Sequence, residues 1–94
     1  MFKEAIKSYT KNINMVEGWI EDKVYACINR ADCYRMVKDM NNEFFSLLQS
    51  IAFAKTPRPK ICSRLGFHYQ QKCDYDSAIF WYELATTLEV DSNK

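Results

Sequence analysis

The hydrophobic residues of this chain fall into five blocks in which they recur every three or four positions, the period of an amphipathic α-helix. The blocks predict helices at about residues 2–15, 19–37, 42–55, 59–72 and 75–89. Helix-breaking sequence separates them at Glu17-Gly18, Lys38–Asn42 and Thr56-Pro57-Arg58-Pro59. The tail at 90–94 is expected to fray. The pattern therefore predicts an all-α chain of antiparallel helical hairpins, with about five helices.

The scarcity of turn-forming residues supports this prediction. The chain has 2 glycines and 2 prolines in 94 residues, where average usage predicts roughly eleven. Sandwiches, barrels and Rossmann-type sheets need a turn residue every ~8–12 positions, so they are excluded. A hydrophobic content of 48% argues against disorder. Helix one begins without a capping residue, so we expect that the chain was cut from a longer one.

Charge is balanced over the whole chain but uneven along it. Thirteen Lys and Arg against twelve Asp and Glu give a net charge of +1, which argues against nucleic acid or a membrane as a partner. Residues 44–73 carry basic but no acidic side chains, and residues 74–91 carry acidic but no basic ones. Two interpretations stay open: solvated faces that attract each other, or a basic face for an acidic peptide or a phosphate.

Residues with catalytic or metal-binding chemistry are few. The four cysteines, Cys27, Cys33, Cys62 and Cys73, lack zinc-type spacing. We interpret all four as buried, reduced thiols that act as small apolar fillers, and reduced thiols favour a cytoplasmic location. His68, the single histidine, is expected to be a packing or solvent-edge residue rather than a zinc ligand. Asp74-Tyr75-Asp76 spells a metal-binding Asp-x-Asp motif, but an N-cap explains Asp74 better. We predict no catalytic residue, no cofactor and no metal site.

The second half of the chain repeats the pattern of the first half. A shift of 35 residues superimposes Cys27 on Cys62, Ala31 on Gly66, Tyr34 on Tyr69 and Asp39 on Asp74. Glycine inside a helix costs ~1 kcal/mol relative to alanine. Gly66 therefore predicts that a second helix crosses closely at that point. The chain is expected to stack its hairpins as a repeat.

The later copy of this pattern resembles a tetratricopeptide repeat (TPR). The residues that carry the resemblance are Cys62-x-x-Leu65-Gly66-x-x-Tyr69, followed by Ala78-x-x-x-Tyr82-x-x-Ala85. The resemblance implies a TPR-like α-solenoid with three parts: 1–17, the second helix of a preceding repeat; 19–57, a degenerate repeat (the first copy); and 58–91, a well-matched repeat (the second copy). The first copy has Arg30 and Glu43 where the family has Leu and Ala. Its hairpin is therefore expected to cross differently or more loosely.

A narrower resemblance extends over nearly the whole chain, to the TPR region of bacterial family 2 glycosyltransferases. It rests on Gly18-Trp19-Ile20-Glu21-Asp22-Lys23, Ala31-Asp32-Cys33-Tyr34, Pro57-Arg58 with Ile61-Cys62-x-Arg64-Leu65-Gly66, and Ala78-Ile79-Phe80-Trp81-Tyr82-Glu83-Leu84-Ala85. The resemblance implies a parent enzyme whose N-terminal GT-A domain, absent here, transfers a sugar from a nucleotide-sugar donor. This fragment would be non-catalytic, and its partner would be a protein or peptide, the acceptor of the parent enzyme.

The TPR geometry also implies a peptide-binding groove lined by the first helix of each repeat. The implied residues are Tyr25, Ile28, Asp32, Arg35, Lys60, Ser63, Arg64, Phe67 and Gln70. Lys60 and Arg64 would grip a carboxylate while Phe67 contacts an apolar side chain. One alternative is a structural spacer or self-association module, for which open solenoid ends imply weak end-to-end association. The other is an enzyme in its own right, against which the lack of a nucleotide-binding sequence argues.

Overall fold

The fold is all-α, as the hydrophobic pattern predicts. The computed structural model describes residues 1–15, 19–54 and 57–92. Its helices are α1 (Phe2–Asn14), α2 (Ile20–Met36), α3 (Met40–Phe53), α4 (Pro59–Gln71) and α5 (Tyr75–Ser92). The predicted breaks at Glu17-Gly18 and at Thr56 lie outside the described residues. No helix within the described ranges combines the length and the apolar content needed to cross a membrane.

Two helix ends differ from the prediction. α3 begins at Met40, before the predicted start at Asn42, because Asp39 caps it with a carboxylate. α5 continues to Ser92, so the predicted fraying is wrong for residues 90–92, and residues 93–94 lie outside the described residues. The physical reason is that the sequence from Tyr75 onward contains neither glycine nor proline to interrupt the helix.

The same turn joins α2 to α3 and α4 to α5. Lys38 and Cys73 both adopt a left-handed backbone conformation with φ of 62°, and an aspartate follows each. The same two hydrogen bonds form at each turn. The aspartate N–H donates to the tyrosine carbonyl oxygen five residues earlier, from Asp39 to Tyr34 at 2.9 Å and from Asp74 to Tyr69 at 3.0 Å. The aspartate Oδ1 accepts from the N–H three residues later, from Asn42 and from Ser77, at 3.3 Å in both cases. The predicted N-cap role of Asp74 is confirmed. The sequence repeat is therefore also a repeat of backbone geometry at this turn.

The helices form two compact units, Met1–Lys55 and Thr56–Lys94. In the first unit α2 packs against both α1 and α3, and in the second α4 packs against α5 as a hairpin. The buried apolar residues of the first unit are Ile13, Val24, Ala26, Cys27, Ala31, Phe44 and Leu47; those of the second are Ile61, Cys62, Leu65, Ala78 and Ala85. Cysteine and alanine are frequent in both sets because closely packed helices leave room for small side chains only.

Gly66 marks the crossing of α4 and α5. A Cβ atom built on this glycine would lie 3.0 Å from Cδ1 and Cε1 of Tyr82 and 3.1 Å from its Cγ. Such distances are well below ordinary van der Waals contact, so the tyrosine ring occupies the space that a side chain at position 66 would need. The prediction that a second helix crosses at Gly66 is confirmed.

In the first copy, a cluster of buried polar side chains lies where α2 packs against its neighbouring helices. Arg30, at the position of Leu65 in the second copy, is 9% exposed, and its Nε donates to Ser46 Oγ at 2.9 Å. The guanidinium also donates to Thr10 Oγ1 at 3.2 Å and to Gln49 Oε1. Arg30 on α2 is therefore hydrogen-bonded to both α1 and α3. Five donors in a planar fork suit this three-way role, which an apolar side chain cannot fill.

Candidate functional site

The outward face of α4 combines a solvated aromatic ring with basic groups. Lys60, Arg64 and Phe67 are four and three residues apart, so they lie on one side of the helix. Lys60 is exposed, Arg64 is half-buried and Phe67 is 47% exposed. Over its two helical turns this face extends about 10 Å from Lys60 to Phe67. We call these three residues the α4 face.

The charged side chains of the α4 face are all basic. The helix has no acidic residue between Pro59 and Gln71. Pro59 stands at the first helical position, where its missing N–H costs nothing and its fixed φ starts the helix. Lys60 consequently lies in the first turn, beside backbone N–H groups that also carry partial positive charge. A carboxylate that approaches this end of α4 meets the charge of the Lys60 ammonium group and the positive end of the helix dipole.

Ser63 and Gln70 border the α4 face rather than complete it. Ser63 is half-buried. Gln70 is exposed, and its Oε1 accepts a hydrogen bond from the Tyr82 hydroxyl at 3.1 Å. This bond ties Gln70 to α5 and leaves its amide N–H₂ group as the donor toward a ligand.

The four predicted groove residues on α2 share one helix side but differ in chemistry from α4. Tyr25 is 51% exposed, Asp32 and Arg35 are exposed, and Ile28 is half-buried. Asp32 stands where the second copy has Phe67, so an acid replaces the aromatic ring. This side of α2 mixes both charge signs. The two helices belong to different units, and each face is described by itself.

His68 lies inside the second unit and is a packing residue. Its side chain is 3% exposed, and its ring meets Phe67 edge-on, with the centroids 6.3 Å apart and the planes at 77°. Of the two roles expected for this residue, packing is the one observed, and a position at the solvent edge is wrong. Among the described residues, no group of three or more His, Cys, Asp and Glu side chains is arranged to hold a metal ion.

The cysteines divide by burial. Cys27 and Cys62 are fully buried, and their burial raises the pKa of both thiols. Cys33 is half-buried, and burial also raises its pKa. Cys73 is exposed, so the prediction that it is buried is wrong; it occupies the left-handed position of the turn that joins α4 to α5 and not a packed helix face. All four thiols are free, as the sequence spacing predicts. The buried pair fill space between helices in the way of small apolar side chains.

Sequence reasoning missed the polar cluster around Arg30 and the role of Lys23. Lys23 Nζ on α2 donates to the Ile13 carbonyl oxygen at 3.2 Å and to that of Met15, at the end of α1. The helical periodicity gives no hint of this contact. For Arg30 a signal was present: the shift of 35 places it on the core residue Leu65, and a charged side chain at a core position requires partners.

Comparison with known proteins does not identify a family for this chain. No protein-family model, curated protein or solved structure matches the chain.

Proposed function

We propose that this chain is a TPR-type recognition module whose α4 face binds an acidic protein or peptide segment with an apolar anchor. The observation that carries the proposal is the exposed Phe67 ring beside Lys60 and Arg64, on a helix without acidic residues. Large aromatic side chains that stay nearly half in water are a common anchor for a partner. The acidic side chains of the partner would pair with the two cations, and an apolar side chain would cover the ring.

The expected affinity of this face alone is low. Covering the exposed half of Phe67 is worth about 1 kcal/mol, because burying a whole apolar side chain is worth about 1.5–3 kcal/mol. Each exposed ion pair adds about 0.2–1 kcal/mol. Together these contributions amount to about 1.4–3 kcal/mol, which corresponds to a Kd no tighter than about 10⁻² M even before the cost of association is included. A tighter complex requires contacts along further helices.

The wider proposal is that this recognition serves a bacterial family 2 glycosyltransferase. Its support is the motif resemblance over most of the chain, together with the recurrence of one turn geometry after 35 residues. In that setting the helical repeats hold the acceptor polypeptide while the attached GT-A domain transfers the sugar. In this proposal the role of the present chain is binding, and the chemistry belongs to the GT-A domain.

The binding proposal is tested by NMR titration of the isotope-labelled chain. The probe is a synthetic peptide in which leucine and phenylalanine alternate with glutamate, and the control peptide has lysine at each glutamate position. We expect the acidic peptide to shift amide resonances of α4, and Lys60→Glu and Phe67→Ala to weaken binding at least about fivefold. Lys7→Glu, an equal change of charge at an exposed position of α1, is the matched control and should have little effect.

Two results would count against the α4 face. Equal binding of the acidic and basic peptides would remove the electrostatic argument. Unchanged binding after both α4 substitutions would favour the alternative function, a structural spacer. For the wider proposal, the measurement is sugar transfer to a polypeptide acceptor by the parent enzyme, with and without Lys60→Glu.

A further inference from the structure

A stripe of apolar side chains, separate from the α4 face, lies on the outside of α5. Tyr75, Ile79 and Val90 are 60%, 54% and 56% exposed, and Tyr82 is 36% exposed at the edge of the stripe. Thr86 fills the gap in the series, and its hydroxyl donates to the Tyr82 carbonyl oxygen at 3.1 Å, so its methyl group is left for the surface. These residues are separated by four, three, four and four positions, which keeps them on one side of the helix.

The chain itself shows what covers such a stripe. A shift of 73 residues aligns α1 with α5 and places Phe2, Ile6, Tyr9 and Ile13 on Tyr75, Ile79, Tyr82 and Thr86. On α1 the C-terminal half of this stripe is packed against α2: Ile13 is 4% exposed and clusters with Ala26 and Cys27, and Tyr9 packs against the same cluster, whereas Phe2 at the other end is 37% exposed. The covering helix therefore presents small side chains to the larger ones of the stripe.

Charge adds a second requirement for a helix on α5. Arg30 of α2 donates to Thr10 of α1 at 3.2 Å, and the shift of 73 places Glu83 at the position of Thr10. Glu83 is exposed, and α5 carries acidic but no basic residues along its sequence. Arg30 donates to a neutral hydroxyl group on α1. An arginine in the same position on α5 would instead form an ion pair with Glu83.

We infer that the outer face of α5 binds an amphipathic helix of a partner protein, packed on α5 as α2 packs on α1. That helix carries alanine-sized side chains over the stripe and an arginine or lysine opposite Glu83. A second copy of α5 is disfavoured as the occupant, because symmetric pairing would bring Asp76, Glu83 and Glu89 toward the same acids of the other copy. This site is separate from the α4 face and does not depend on the function proposed for it.

The probe for this site is a peptide with the sequence of α2, residues 20–36, with alanine at both cysteines. A lactam bridge between positions 25 and 29, which are exposed on α2, makes the peptide helical before it binds. Fluorescence anisotropy of the labelled peptide is followed as the full chain is added. We expect saturable binding that Ile79→Asp weakens at least about tenfold. Phe80→Asp, at a residue of similar exposure (59%) about a third of a turn away, is the matched control and should weaken it less than about twofold.

A charge exchange tests the contact with Glu83. Glu83→Arg in the chain should weaken binding, and the change Arg30→Glu in the peptide should restore it. Absence of binding by the helical peptide, or equal losses from Ile79→Asp and Phe80→Asp, overturns the proposal. Sedimentation of the chain without peptide measures its oligomeric state. A dimer that Ile79→Asp dissociates would overturn the proposal, because the face would then bind a second copy instead of a partner helix.

Discussion

Replacing Arg30 with leucine tests how the three helices of the first unit are held together. Leucine is the residue at the equivalent position of the second copy, Leu65, which is fully buried. The substitution removes hydrogen bonds to Ser46, Thr10 and Gln49. Ser46 is 1% exposed, so water does not replace the lost donor. A buried polar group left without its partner costs about 1–3 kcal/mol.

The gain from leucine reduces this loss without cancelling it. The Arg30 side chain is already buried, with 9% of its surface exposed, and its aliphatic stem is part of that buried surface. Leucine therefore adds little apolar burial. We expect Arg30→Leu to lower the free energy of unfolding by about 1–3 kcal/mol. Ser46→Ala removes the orphaned hydroxyl. The double variant should therefore be more stable than the sum of the two single effects predicts, with a coupling of at least about 1 kcal/mol.

The measurement is urea denaturation followed by circular dichroism at neutral pH for the wild type, both single variants and the double variant. Arg35→Leu, at an exposed position on the same helix, is the control and should change stability by less than about 0.5 kcal/mol. The reasoning would be refuted if Arg30→Leu were as stable as the wild type. Additive effects of Arg30→Leu and Ser46→Ala would equally show that the cluster does not act as a unit.

Three further predictions concern the turns, the helix crossing and the thiols. Lys38→Gly and Cys73→Gly should each raise the free energy of unfolding by about 0.5–1 kcal/mol in urea titrations, because glycine adopts the left-handed φ of 62° without strain. Gly66→Ala should destabilise by about 1 kcal/mol, since crowding against Tyr82 outweighs the gain in helix propensity; in a Tyr82→Leu background the same change should stabilise. Cys73 should react with iodoacetamide well before Cys27 and Cys62, as mass spectrometry of the digested protein would show. Because burial raises the pKa of those two thiols, their contribution to stability is present below about pH 8.5 and is lost as the pH rises above it.

The elements of the fold that follow local rules were predictable from sequence. The helical period gave the five helices, Asp74 was recognised as an N-cap, and Gly66 implied a close crossing. Each of these signals depends on a few neighbouring residues or on the absence of a side chain. The start of α3 was placed too late because Met40 and Asn41 have no strong helical signal of their own, and the cap at Asp39 decides the boundary.

The polar cluster and the covered stripe on α1 were beyond local rules. Arg30 was recognised as a departure from the family pattern, but its partners are 16 to 20 residues away in sequence and on two other helices. No periodicity within α2 identifies them. The residues of the α4 face were expected from the TPR resemblance, and spacing determines only that they share one side of a single helix. The hydrogen bond between the Tyr82 hydroxyl and Gln70 could not be predicted from spacing, because it joins two helices of the folded hairpin.

The two copies share the residues that set the turn but differ on the exposed side of their first helices, and this difference supports a recognition role over a spacer. The aspartate that follows each left-handed residue, the tyrosine that precedes each turn and the buried cysteine recur at a shift of 35. Under the same shift, Asp32 becomes Phe67 and Arg35 becomes Gln70, with no chemical likeness. A spacer requires only that hairpins stack, so it does not need an exposed aromatic ring beside two cations on one helix. A module that reads a partner requires constant geometry with different side chains on successive helices, because each helix then contacts a different part of the ligand.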